Sequence, residues 1–204
     1  MSIDDGLIES AELRRLHARA QELVDAALTG LAVADLARAT PCAQWNLGDL
    51  LGHMLGQNRA LAAAVAGGGS DLAARRPVIP GPDPATELAR TERELVAAFA
   101  DHGMGGVVWM PELSPSAPIP ARIALLAHLI DTVVHGWDVA ASRSRSYAVP
   151  ADLLAVATSV AQRIPDGAGR GPGAAFGPAR STDGTDALGD LLARLGRDPH
   201  WHDG

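Results

Sequence analysis

Four ionisable side chains interrupt a largely apolar stretch, residues 126–140, LAHLIDTVVHGWDVA. They are His128, Asp131, His135 and Asp138. Their spacings of 3, 4 and 3 keep them on one face of a helix. Asp131 and His135 stand one turn apart, so an imidazole nitrogen and a carboxylate oxygen can converge on one divalent metal. Zn²⁺ suits such donors best, with Ni²⁺, Fe²⁺ and Mn²⁺ as alternatives. A third ligand, His53, is expected from another helix. Three protein ligands leave positions open for water or substrate, the arrangement of a catalytic ion. Spacing alone also describes an ion pair on a solvated face. Against that, the stripe carries only His, Asp and small residues until Arg143, where a solvated face would carry Arg or Glu.

The neighbours take lesser roles. His128 lies two turns from His135 and reads as lining a cleft or as a core histidine. Asp138 is one turn beyond His135 and reads as an acceptor orienting an imidazole, or as a partner for an arginine. Gln57 is assigned to the cleft or to solvent. Arg75 and Arg76 could meet an anionic substrate, although exposed arginines are commonplace. Cys42, the one cysteine, excludes an internal disulfide and a cysteine-based zinc site, and reads as structural. Trp45 and Trp137 are expected to pack, His17 to face solvent, and His200 and His202 to lie in a loose tail.

The elements that must position these residues are helical. Apolar residues Leu13, Leu16, Ala20, Leu23 and Ala27 recur at helical spacing over residues 8–30, and Gly30 is a plausible end. Asn46 reads as an N-cap, with Asp49 three residues on, for a second helix over 47–66. Residues 67–83 are a Gly/Pro-rich loop, long enough to carry function. Pro84 suits the first turn of a third helix over 84–102. The fourth spans about 121–142. Residues 150–164 and 185–195 form two further helices, and 105–111 a short extended piece. The expectation is an all-α, antiparallel four-helix bundle with short additional helices and extended segments, in one domain over 1–204.

The chain has 204 residues, enough for a self-sufficient core. Aromatics make up only 3%, so Ala, Leu and Val must build that core. The net charge of −7 disfavours nucleic acid as a partner. All basic residues are arginines. The acidic N-terminus lacks the pattern of a signal peptide, and the uninterrupted apolar runs are shorter than a membrane span. A cytoplasmic location, with no membrane partner, is expected.

Three stretches carry a family resemblance. Residues 131–140, DTVVHGWDVA, resemble the H/E/D-x-x-x-H-x-W-D-[LV]-A signature of the mycothiol-dependent maleylpyruvate isomerase N-terminal domain, within the DinB-like superfamily. Residues 40–53, TPCAQWNLGDLLGH, resemble that family's Thr-Pro-Cys-x-x-Trp-x-x-x-x-Leu-x-x-His stretch. Residues 191–199, LLARLGRDP, resemble a recurrent ending of its short, actinobacterial-type members. The resemblance implies a DinB-like bundle holding one divalent metal, with the family's ligands falling on His53, Asp131 and His135. It also implies mycothiol as a small-molecule thiol cofactor. Two features depart from the full isomerase. Asp131 stands where that enzyme has Glu, and residues 141–204 are too few for its additional C-terminal domain, which puts maleylpyruvate isomerisation itself in doubt.

Three functions remain open. The first is a thiol-dependent transferase or isomerase in which the metal activates a thiolate toward an electrophilic substrate. The second is a metal-dependent small-molecule hydrolase. The third is a non-catalytic metal-binding helper, with homodimer formation through helices compatible with any of them.

Overall fold

The computed structural model describes residues 8–67, 77–111, 113–167, 170–171, 176–182, 184 and 186–202. Arg75 and Arg76 lie outside these. The chain is all-α in the DinB-like manner: α1 (Ser10–Leu28), α2 (Leu47–Val65), α3 (Pro84–His102), α4 (Ala121–Ser142), α5 (Ala151–Ala161) and α6 (Ala187–Arg194). A 3₁₀ turn, Val33–Ala37, precedes α2. The only strands among the described residues are a two-residue antiparallel pair, β1 (Val107–Val108) and β2 (Ile119–Pro120), leading into α4.

Local chemistry sets the helix starts. The Asn46 side chain accepts from the Asp49 amide at 2.9 Å, and the Asp49 carboxylate accepts from the Asn46 amide at 3.2 Å. This reciprocal cap satisfies two otherwise orphaned donors of α2. Asp83 accepts from the Thr86 amide at 3.1 Å, and Pro84 fills the first position of α3, where no N–H is needed.

α1 and α4 run the same way. Arg122 at the start of α4 donates to the Ile8 carbonyl, and Arg143 just past its end donates to the Ala27 carbonyl. α2 runs opposite to α4, with His53 beside His135 and Asn58 beside His128. α3 runs with α2: Leu88 shares a core cluster with Leu50, Leu51 and Leu55, whereas Leu95 and Phe99 share the other with Leu61 and Val65. The bundle is thus two parallel pairs set antiparallel to one another. Ahead of α3, the Val78 amide donates to the Gly52 carbonyl of α2 at 3.0 Å, and a Cβ on Gly52 would run into the Val78 carbonyl.

α4 is the centre of the molecule. Its Leu125, Leu129, Val133 and Val139 are buried, and Asp138 and Ser142 are fully buried among them. α4 alone among the described helices is long and apolar enough to cross a membrane. However, 83% of its apolar stretch is buried within the bundle, the setting of a core helix. His17 corrects the sequence expectation. It is 2% exposed, on the same inward face as Leu13, Leu16 and Ala20, and its Nε2 lies 2.8 Å from Nδ1 of His128.

Candidate metal centre

The turn of residues 40–45 is held by Thr40. Its hydroxyl donates to the Trp45 carbonyl at 2.8 Å and accepts from the Cys42 amide at 3.1 Å. This small side-chain turn competes with helix and so delays α2 to Leu47. It presents Cys42 and Trp45 toward α4. The Trp45 ring lies 4.6 Å from that of His53 and 6.2 Å from that of His135, centroid to centroid.

α2 and α4 bring His53, Asp131 and His135 together, and one donor atom of each lies within 4.8 Å of the others. His135 Nε2 stands 3.3 Å from Asp131 Oδ1. The imidazoles of His53 and His135 meet edge to face at 5.2 Å and 76°. His135 is 5% exposed, while His53 and Asp131 are half-buried, so the opening of the cluster lies on their side.

The other nitrogen of His135 faces inward. Its Nδ1 lies 3.0 Å from Asp138 Oδ2. Asp138 also receives the Cys42 thiol at 3.1 Å and the Arg197 guanidinium at 2.9–3.2 Å. Arg197 Nη2 lies 3.1 Å from Cys42 Sγ. One imidazole therefore connects a partly open carboxylate cluster to a closed, charge-paired one.

The electrostatics follow from this arrangement. Burial would raise the Asp131 carboxyl, but neighbouring His135, with His53, outweighs it and holds the carboxyl below the ordinary range. Burial works against the His135 cation, yet Asp131 and Asp138 overcome it and raise its pKa well above the usual value. Burial, then the charge of His135, pushes His53 down to about 4, so its nitrogen is a free donor at neutral pH. Asp138 is likewise held low: burial opposes its charge, and His135 and Arg197 prevail. Burial pushes the Cys42 thiol up.

Cys42, His135 and Asp138 form a second group whose donors lie within 4.8 Å of one another. Its chemistry fits a metal poorly. The Arg197 cation already neutralises its carboxylate, and its thiol is held protonated by burial, whereas a metal needs the thiolate. His53, Asp131 and His135 fit far better. They supply two imidazoles and a carboxylate, no arginine pairs with Asp131 among the described contacts, and one side is accessible.

The remaining expected residues are dispersed. His128 sits in a buried polar chain, with Nε2 2.9 Å from Asn58 Oδ1 and Nδ1 near His17 and Thr132. Asn58 in turn donates to Thr91 at 3.1 Å. Gln57 is half-buried one turn after His53. Sequence reasoning passed over Arg197, although it stands within the LGRDP ending. It also read Trp45 and Cys42 as packing or structural residues, where the structure sets them against the two histidines.

The fold and the cluster define a helical-bundle protein with a two-histidine, one-carboxylate constellation between α2 and α4. The chain belongs to the mycothiol maleylpyruvate isomerase N-terminal domain family, whose model matches residues 16–140. It is also similar to uncharacterized proteins of two Mycobacterium tuberculosis strains, CDC 1551 / Oshkosh and ATCC 25618 / H37Rv. Each is 25% identical over 182 residues, covering 89% of this chain and 95% of the relative. No solved structure matches the chain.

Proposed function

We propose that this protein is a divalent-metal-dependent enzyme that transfers a small-molecule thiol, of the mycothiol type, to an electrophilic substrate or uses it to isomerise one. The observation that carries the reading is the convergence of His53, Asp131 and His135 donor atoms with one side accessible. His53 and His135 would hold the ion through imidazole nitrogens and Asp131 through its carboxylate. A divalent ion bound there supplies the Lewis acidity that brings a thiol's pKa toward neutrality. Family membership supports mycothiol as that thiol.

The protein's own groups suit the task. His53 is neutral at pH 7 and needs no deprotonation to bind. The Trp45 ring packs against His53 with centroids 4.6 Å apart and the planes tilted by 34°, covering that flank of the imidazole. Asp138 takes the Nδ1 side of His135, leaving Nε2 for the cluster.

The test is metal analysis of the native protein and of His53→Ala, Asp131→Ala and His135→Ala variants, followed by thiol-transfer assays with mycothiol and electrophiles. One equivalent of metal in the native chain, lost in each variant, with thiol-dependent turnover, is the expected result. Stoichiometric metal retained by all three variants overturns the site. Turnover independent of thiol would instead favour a small-molecule hydrolase, and bound metal without turnover a metal-binding helper.

A further inference from the structure

The chain's last described segment reaches into this cluster. α6 ends at Arg194, and Gly196 adopts φ +86°, a left-handed value that glycine tolerates. The Arg197 amide then donates to the Leu192 carbonyl at 2.9 Å, closing the turn. The reversal sends the Arg197 side chain back into the bundle, where the residue is only 9% exposed. Its Nε lies 3.0 Å and 3.2 Å from the two Asp138 oxygens, and its Nη2 lies 2.9 Å from Oδ2.

A carboxylate can rotate about its last torsion and swing off a neighbouring imidazole. Arginine's planar fork fixes the plane of the carboxylate it grips, whereas a lysine ammonium, a point charge, does not. Asp138 is fully buried, and Oδ2, which receives both Nε and Nη2 of Arg197, is the oxygen that faces His135 Nδ1 at 3.0 Å. The ring so held turns Nε2 toward Asp131.

Resting on the reading of His53, Asp131 and His135 as the metal ligands, we propose that Arg197 is a positioning residue of this centre. It locks Asp138, and through Asp138 the His135 ring, with Nδ1 engaged and Nε2 presented to the ligand cluster. The family model matches only to residue 140, so this assigns to the segment beyond it a part in building the site.

The experiment uses the full chain with Arg197→Lys, Arg197→Met and the double variant Asp138→Asn/Arg197→Met. Zn²⁺ affinity is read by competition with a chromophoric chelator. The His135 ring N–H proton is followed by NMR in metal-free, ¹⁵N-histidine-labelled protein, and thermal unfolding is recorded alongside. Arg197→Lys keeps the charge and the fold. It is expected to weaken Zn²⁺ binding about ten- to hundred-fold and to speed exchange of the His135 Nδ1 proton with water. Arg197→Met strands the Asp138 charge; should that chain not fold, the double variant, which removes both charges, carries the same expectation. Wild-type affinity together with a wild-type Nδ1 proton in Arg197→Lys or in the double variant overturns the proposal, whatever happens to the melting temperature. Absence of Zn²⁺ binding by the unaltered chain overturns the reading of the ligands instead, and the Nδ1 proton still decides whether Arg197 positions the ring.

Discussion

Asp131 and Asp138 face opposite nitrogens of one imidazole: Asp131 Oδ1 is 3.3 Å from Nε2 of His135, and Asp138 Oδ2 is 3.0 Å from Nδ1. A ring held between two carboxylates in a buried place is a cation in the metal-free protein. Its raised pKa adds stability below the ordinary histidine value, and that contribution fades as pH rises past the raised one. A metal at Nε2 must displace that proton. Zn²⁺ uptake at pH 7 in weakly buffered indicator solution is therefore expected to release about one proton per ion. Affinity should fall as pH is lowered. Metal uptake with no proton release would show that His135 Nε2 is not a ligand.

Trp45 lies 4.6 Å from His53, so it reports on the cluster. Titration with Co²⁺, whose unpaired electrons quench indole emission, is expected to remove part of the fluorescence and to saturate at one equivalent. Trp45→Phe should abolish the quench while leaving Co²⁺ bound, as metal analysis would verify. A quench that persists in Trp45→Phe would place the ion near another tryptophan.

Gly136, between His135 and Trp137, is small for a packing reason. A Cβ there would lie well under 3.0 Å from the Tyr147 hydroxyl, which is buried and has no hydrogen-bond partner among the described residues. Gly136→Ala is expected to cost about 1–3 kcal/mol, as overpacking does. Tyr147→Phe, which removes an unpartnered hydroxyl, should stabilise by about 1 kcal/mol. In the double variant the alanine should cost less than in the wild type. Additive effects in urea unfolding would show that the two positions do not meet.

Glu92 on α3 is 4% exposed. Burial, then the charge of Asp25, pushes its pKa up to about 8 against Arg93's opposing charge. Between its ordinary value of 4.5 and about 8, the folded chain holds a proton that the unfolded chain has lost. Stability therefore falls as pH rises through that window, by up to about 1.4 kcal/mol per unit. Glu92→Gln should flatten this slope and leave the protein more stable than wild type at pH 9. Identical urea midpoints for the two proteins at pH 5 and pH 9 would remove Glu92 from the account.

The helices were legible because their causes are local. The Asn46–Asp49 pair and the Asp83–Pro84 start act over three residues, and the apolar repeat of α1 and the D-x-x-x-H spacing of α4 act over one or two turns. His53 was a candidate from its own helix, but no spacing links residues on different helices, so the family resemblance strengthened its tie to α4. The Gly/Pro-rich stretch after α2 announced a connection without showing that α2 and α3 run parallel.

Everything that depends on which faces meet was left to the tertiary structure. Periodicity put His17 among polar positions, but packing buried it against His128. The pairing of Asp138 with Arg197 across a sequence separation of 59, and the approach of Tyr147 to Gly136, leave no periodic trace. The amino-acid sequence by itself determined that α4 would bring a carboxylate and an imidazole to one face, because a helix repeats every 3.6 residues. Only the folded bundle decided which nitrogen of His135 faces which carboxylate and which distant arginine closes the cluster, because those depend on rotamers and contacts that form when separate helices pack.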